Sequence, residues 1–206
     1  VPLVILDMSY HMSARIGQKA PDFKATAVFG KNLKEISLDD YKGKYVVLFF
    51  YPLDFTFVCP TELHAFQEHY AAFKNAGAEV LACSVDSPYC HQAWLETPKE
   101  KGGIAGIEYG LIADMGGKIA EQFGVLSPGN VAYRGLFLMD KEGIIRHMLI
   151  NDLPLGRSVP EALRTLEALQ HVETVGEVCP ANWTKGAEAI NTTAESVGGY
   201  LKKKYA

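Results

Sequence analysis

Tyr45-Val46-Val47-Leu48-Phe49-Phe50-Tyr51 is an unbroken apolar run, aromatic or β-branched at every position but Leu48, and Pro52 closes it. A half-exposed strand alternates apolar and polar residues, so a run without polar members predicts a strand covered on both faces, as in an α/β sheet. Glu79-Val80-Leu81-Ala82-Cys83-Ser84-Val85 predicts a second such strand, entered after Gly77. Between the two, Leu63, Phe66, Tyr70 and Phe73 recur at helical spacing. The segment from about 45 to 85 is therefore a strand–helix–strand unit, which requires a parallel pair joined by a right-handed crossover.

The later pattern continues this theme. Ser87 is placed to cap a helix through Trp94 that ends near Pro98, and a short helix is expected over Gly116–Phe123. Arg134–Met139 and Ile144–Ile150 read as a hairpin turning at Asp140–Gly143. Ser158 is expected to cap the helix carrying Leu163, Leu166, Leu169 and Val172, with Pro160 tolerated in its first turn. Gly176–Gly186 is a loop holding Cys179, Pro180 and Trp183. A polar, Ala-rich helix is expected from Ala187, weakened by Gly198-Gly199. The chain of 206 residues thus divides into a body over 13–172 and a C-terminal arm over 173–206. Residues 1–12 begin with a short apolar stretch that can neither span a bilayer nor serve as a good signal peptide. They read as a cloning remnant or trimmed leader, with a native extension docked on the body as the alternative.

A net charge of −4 gives no electrostatic reason to expect nucleic acid or an anionic membrane as a partner. The four cysteines, at 59, 83, 90 and 179, are too few for a secreted disulfide scaffold, and none forms a C-x-x-C pair. A reducing compartment, the cytoplasm, is expected, with any disulfide transient and catalytic. His64, His69 and Cys90-His91 follow no zinc spacing, and no Gly-Lys pair continues into a P-loop. Cys83, inside an apolar strand, reads as core packing. Cys90, beside His91 at a helix start, could be more reactive, although packing is the simpler reading.

The chemistry concentrates in Pro52-Leu53-Asp54-Phe55-Thr56-Phe57-Val58-Cys59-Pro60-Thr61-Glu62, which joins a buried strand to a helix. A cysteine in the first turn of a helix faces unpaired N–H groups and the positive end of the dipole, both of which favour thiolate. Only the thiolate attacks an electrophile such as a peroxide oxygen. Thr56, three residues earlier, can aim a hydroxyl at the same spot, holding one peroxide oxygen while the sulfur attacks the other. On the residues alone Glu62 and Arg157 read as surface ion-pair partners of little weight, and Arg134 could be that or functional.

At these residues the chain resembles the peroxiredoxins. Pro52, Thr56 and Cys59 match their P-x-x-x-T-x-x-C signature, and the surrounding Phe50–Glu62 is similar to the typical two-cysteine subfamily. The resemblance extends from Ser13 to Leu201 and implies a thioredoxin-like fold, a central mixed sheet flanked by helices. It implies that Cys59 is the peroxidatic cysteine, Pro52 its shield, Thr56 the peroxide-binding hydroxyl and Arg134 the neighbouring cation. Glu62 and Arg157 would complete a supporting network. Val178-Cys179-Pro180 resembles the family's resolving motif, which implies a disulfide between Cys59 of one chain and Cys179 of another. A homodimer is then the minimal catalytic unit, and relatives often assemble five dimers into a decamer. Hydrogen peroxide and organic hydroperoxides would be the substrates and a thioredoxin-like dithiol the reductant, in antioxidant defence and redox signalling. No metal or organic cofactor is implied.

A disulfide needs Cα atoms roughly 4.4–6.8 Å apart, so Cys59 is expected to unwind locally before Cys179 can reach it. Overoxidation-sensitive relatives carry a Gly-Gly-Leu-Gly loop and a Tyr-Phe pair. Here Gly102-Gly103-Ile104-Ala105-Gly106 and Tyr200-Leu201 stand instead, which suggests a looser lid and lower sensitivity. Two other functions are open to such a chain: an oligomeric holdase chaperone as an added role, and a disulfide oxidoreductase, against which the missing C-x-x-C weighs.

Overall fold

The computed structural model describes residues 14–205, so the leader reading of residues 1–12 falls outside the described part. Seven strands form one mixed sheet: β1 (Lys24–Phe29), β2 (Asn32–Ser37), β3 (Tyr45–Phe50), β4 (Ala78–Ser84), β5 (Gly110–Ala113), β6 (Arg134–Met139) and β7 (Ile145–Asn151). Their spatial order is β2-β1-β5-β4-β3-β6-β7. The β3–β4 and β4–β5 pairs are parallel, and β1–β2, β1–β5, β3–β6 and β6–β7 are antiparallel. Helices α1 (Cys59–Glu68), α2 (Tyr70–Asn75), α3 (Pro88–Glu96), α4 (Lys118–Gln122), α5 (Val159–Val175) and α6 (Ala194–Tyr205) complete the fold. The expected parallel pair is β3 and β4, paired from Tyr45–Ala78 to Phe50–Cys83.

The apolarity of β3 follows from its place. Tyr45, Val47, Phe49 and Tyr51 enter a core shared with Leu63, Phe66, Trp94 and Leu166, while Val46, Leu48 and Phe50 enter a second core with Phe123, Val125 and Phe137. Phe49 stacks on Phe66 with ring centroids 4.0 Å apart. Burying a phenylalanine contributes about 1.5–3 kcal/mol, and Phe49, Phe50 and Phe66 are all fully buried. The end of β3, where the Cys59 loop departs, is thus anchored from both sides.

Several expectations needed correction. The helix after Cys59 breaks at His69, whose Nδ1 lies 3.0 Å from the Ala65 carbonyl while its own N–H turns to the Gln67 carbonyl. Ser158 stands at the N-cap of α5 but its side chain makes no capping bond. The tail helix starts at Ala194, not Ala187, because Ile190 and Val178 pair their backbones instead, with N···O distances of 3.0 and 2.9 Å. The sequence reading also missed three strands. β2 is an edge strand with Ile36 as its buried residue, and β5 has only four residues. At the head of β5, a Cβ on Gly110 would stand 2.5 Å from the Phe29 ring, so the strands meet there only because residue 110 is glycine.

Candidate active site

Cys59 is the first residue of α1 and is 1% exposed. The loop that delivers it leaves β3 through Tyr51, whose N–H binds the Cys83 carbonyl at 3.0 Å, and through the buried Pro52. Phe55 sits at φ 53, a left-handed conformation costing a non-glycine residue about 1 kcal/mol or more. The neighbouring Asp54 holds that strain in place. Its backbone N–H donates to Asp86 Oδ2 at 2.8 Å, its Oδ1 accepts from Tyr51 OH at 2.7 Å, and its Oδ2 lies 2.7 Å from His91 Nδ1. His91 is fully buried, and its other nitrogen lies 3.2 Å from the Ile112 carbonyl. This bracing was missed at the sequence level. The visible signal was an aspartate five residues before Cys59, with no indication of the histidine that would meet it.

The helix mouth is more closed than expected. Pro60 has no N–H, and the N–H groups of Thr61 and Glu62 both go to the Val58 carbonyl, at 3.0 and 3.3 Å. Positive charge at the sulfur comes instead from Arg134, 3% exposed at the start of β6. Its Nη1 is 3.5 Å from Cys59 Sγ and 2.7 Å from Glu62 Oε2, and its Nε donates to the Leu153 carbonyl at 2.7 Å.

Glu62 and Arg157 are not surface partners. They are 3% and 8% exposed. Arg157 Nε and Nη2 reach Glu62 Oε1 and Oε2, both at 2.8 Å, and Nη1 binds the carbonyls of Phe50 and Gly135 at 2.8 and 2.6 Å. The guanidinium also lies 5.1 Å over the Phe49 ring. Burial works to raise the Glu62 carboxyl, but hydrogen bonds and charge from Arg157, joined by Arg134, outweigh it and hold the group below its ordinary value. The structure thus gathers Cys59, Glu62, Arg134 and Arg157 into one contact set, with Pro52 buried on the same loop.

Thr56 donates its hydroxyl proton to the Leu53 carbonyl at 2.8 Å, which turns the oxygen lone pairs outward as acceptors. Cys179 lies apart on the arm, its Sγ donating to the Ala168 carbonyl at 3.6 Å. Burial raises its thiol, against the lowering effect of Arg164. Burial also pushes Cys83 well above the ordinary thiol value. For Cys90 burial, then the charges of Asp54 and Asp86, raise the thiol to about 12, so the helix start does not activate it. Asp54, Asp86 and Cys90 bring ligand atoms within 4.8 Å of one another, but both Asp54 oxygens and Asp86 Oδ2 already accept protein hydrogen bonds.

A buried thiol held against a guanidinium at a strand–helix junction is the setting of a nucleophilic cysteine enzyme. Comparison with known proteins makes this specific. Residues 16–148 match the model of the AhpC/TSA family, and residues 168–203 match the C-terminal domain of 1-Cys peroxiredoxin. Peroxiredoxin-2 of Macaca fascicularis is 51% identical over 192 residues, covering 93% of this chain and 97% of that one. The mitochondrial thioredoxin-dependent peroxide reductase of Pongo abelii is 50% identical, covering 95% of this chain and 76% of its own. The crystal structure of reduced Plasmodium vivax 2-Cys peroxiredoxin superposes with a TM-score of 0.88 at 47% identity, over 91% of this chain and 98% of the other. The chain belongs to the AhpC/TSA family: it is a peroxiredoxin, and so a thiol-dependent peroxidase.

Proposed function

We propose that Cys59 is the peroxidatic cysteine and Cys179 of a partner chain the resolving one. The Cys59 thiolate attacks one peroxide oxygen, the O–O bond breaks, and the other oxygen leaves with a proton as water or alcohol. Cys59 is then a sulfenic acid. The Cys179 thiol condenses with it, forming the disulfide and releasing a second water. An external dithiol of the thioredoxin kind takes up the oxidation by exchange and returns both thiols.

The observation that carries this reading is the contact of Arg134 with both Cys59 Sγ and Glu62. Two buried guanidiniums face one carboxylate, which leaves an uncompensated buried positive charge. An anionic sulfur neutralises it. Arg134 then faces the charge that develops on the leaving oxygen, and Thr56 accepts a hydrogen bond from the peroxide. Pro52 shields the sulfur from bulk water.

Assembly rests on the surface. β7 is an edge strand of the sheet with Ile150 43% exposed, a suitable face for a dimer. Phe55, Phe57 and Tyr89 are 51%, 90% and 72% exposed beside the Cys59 loop, which supports association of dimers into a decamer. The same aromatics support a holdase role when a ring opens. The cytoplasm is the compartment proposed. No described helix is long and apolar enough to cross a membrane.

Peroxide consumption with a dithiol donor tests the roles. Cys59→Ser should be inactive, while Cys179→Ser should form a sulfenic acid but no disulfide-linked dimer on a non-reducing gel. A Cys59→Ser variant with full turnover would overturn the assignment. Client protection retained in Cys59→Ser would separate a chaperone role from the peroxidase.

A further inference from the structure

The outer face of α5 carries an arginine that the peroxide site does not use. Glu161 holds Arg164 through two bonds, Nε to Oε2 at 2.6 Å and Nη2 to Oε1 at 2.7 Å, fixing the plane of the guanidinium. Its remaining arm, Nη1, donates to the Trp183 carbonyl at 2.8 Å. Trp183 is 3% exposed, its ring centroid 4.9 Å from that of His171, and its indole N–H donates to the Ala187 carbonyl at 3.0 Å.

Arg164, Ala168 and His171 follow at helical spacing and so share one face of α5. Each holds the same short stretch of the arm: Arg164 at the Trp183 carbonyl, Ala168 at the Cys179 thiol, His171 at the Trp183 ring. Between the two arm residues the chain reverses at Asn182, which sits at φ 61, and the Trp183 N–H binds the Pro180 carbonyl at 3.0 Å. The loop is therefore pinned at both ends of one turn, with the Cys179 sulfur directed at a backbone carbonyl. A sulfur held in this way must leave the Ala168 carbonyl before it condenses with a sulfenic acid, and the pinned turn resists that movement.

We propose that Arg164 is a positioning residue for the resolving step: by gripping the Trp183 carbonyl it parks the Cys179 loop on α5, and its release sets how fast Cys179 becomes available. The inference rests on the reading of Cys179 as the resolving cysteine. It makes the arm's grip on its own helix a determinant of the competition between disulfide formation and further oxidation of Cys59. Glu161 acts one step back, by holding the guanidinium in register.

The test uses the full chain, reduced and mixed with hydrogen peroxide in a stopped-flow instrument. Tryptophan fluorescence follows two phases, oxidation of Cys59 and formation of the disulfide, and mass spectrometry reads the Cys59 sulfinic fraction at excess peroxide. Arg164→Ala should leave the first phase within about twofold and speed the second at least about threefold, the modest size reflecting a partly solvated ion-pair clamp. The sulfinic fraction should fall with it. Arg164→Lys, which keeps the charge but not the fork, should fall between, and Glu161→Gln should shift the second phase in the same direction. Loss of general stability alone would alter both phases. A second phase unchanged or slower in Arg164→Ala overturns the proposal. If Arg164→Ala does not fold, the same criterion applies to Arg164→Lys and Glu161→Gln. Cys179→Ser in the same instrument separates the two readings. If it keeps the second phase, the resolving assignment itself has failed. If it loses that phase while the Arg164 variants match wild type, only the clamp has failed.

Discussion

Arg157 grips Glu62 at both carboxylate oxygens, Nε to Oε1 and Nη2 to Oε2, each at 2.8 Å, in a place where neither side chain is more than 2% exposed. The pair joins α1 to the loop before α5, which are far apart in sequence, and it steadies the turn that bears Cys59. Glu62→Gln keeps the shape but takes from Arg134 and Arg157 the buried carboxylate they share. Breaking one partner of a buried pair costs about 3–5 kcal/mol, and a loss of that order is expected in denaturant unfolding. The pH dependence has a definite sign. The folded-state value of Glu62 lies below its ordinary 4.5, so its contribution is fully present above that value and is lost as pH falls through the lower folded value. The stability gap between wild type and Glu62→Gln should therefore narrow in acid below about 4.5.

Arg134 is the cation nearest the sulfur. Replacing it with alanine removes both the charge beside Cys59 and the donor proposed to face the leaving oxygen. The second-order rate constant with hydrogen peroxide should fall about 100- to 1000-fold, in line with loss of one preorganised donor. Arg134→Lys should recover only part of it, because an ammonium cannot serve Cys59, Glu62 and the Leu153 carbonyl together. A rate within about threefold of wild type in Arg134→Ala would remove the arginine from the chemistry, since one such donor is worth far more.

The two cysteines outside the proposed chemistry should be chemically quiet. Cys90 is raised to about 12 by burial and by the Asp54 and Asp86 carboxylates, and complete burial holds Cys83 well above the ordinary thiol value. In a Cys59→Ser/Cys179→Ser variant, iodoacetamide at pH 8 should add no label over the time that marks wild-type Cys59, read by intact mass. Rapid labelling of Cys90 would show that its carboxylate neighbours do not suppress the thiolate.

How much of this was legible beforehand depended on whether a residue's role is local. The runs at β3 and β4, the helix start at Cys59 and the hairpin of β6 and β7 follow from patterns a few residues long, and all appear in the structure. The site's signature was equally local, from Pro52 to Glu62. The fate of Glu62 and Arg157 was not. Alone, each looks like any exposed charge, and only folding brings Arg157 across the 95 positions that separate them into a dry contact. The same holds for Asp54 and His91, 37 residues apart. β2 escaped notice because an edge strand with exposed residues lacks the apolar pattern that marked β3.

The first turn of α1 and the rest of that helix are held in different ways, and this sets where unwinding can stop. The N-cap, Val58, offers no side-chain bond, so Cys59 to Thr61 rely on the backbone, on the Thr61 hydroxyl donating to the Val58 carbonyl at 2.6 Å, on the Arg134 contact with the sulfur and on the anchored Glu62. From Leu63 onward the helix is tied to the 103–109 segment. The Leu63 carbonyl accepts from Tyr109 OH at 2.7 Å, His64 Nε2 lies 3.0 Å from the Gly103 carbonyl, and Gln67 Oε1 accepts from the Glu108 N–H at 2.9 Å. Position 103 has no room for a side chain, since a Cβ there would stand 1.9 Å from the Thr97 carbonyl oxygen. Formation of the proposed disulfide should therefore unwind the chain only up to Glu62. Hydrogen exchange comparing reduced and oxidised protein should lose protection over residues 55–66, whose amides lie in the unwound turn or bond to its carbonyls, and retain it at 67 and 68. His64→Ala with Gln67→Ala should let the loss spread into the second stretch. Equal deprotection of both stretches in wild type would show that the three ties do not hold the helix.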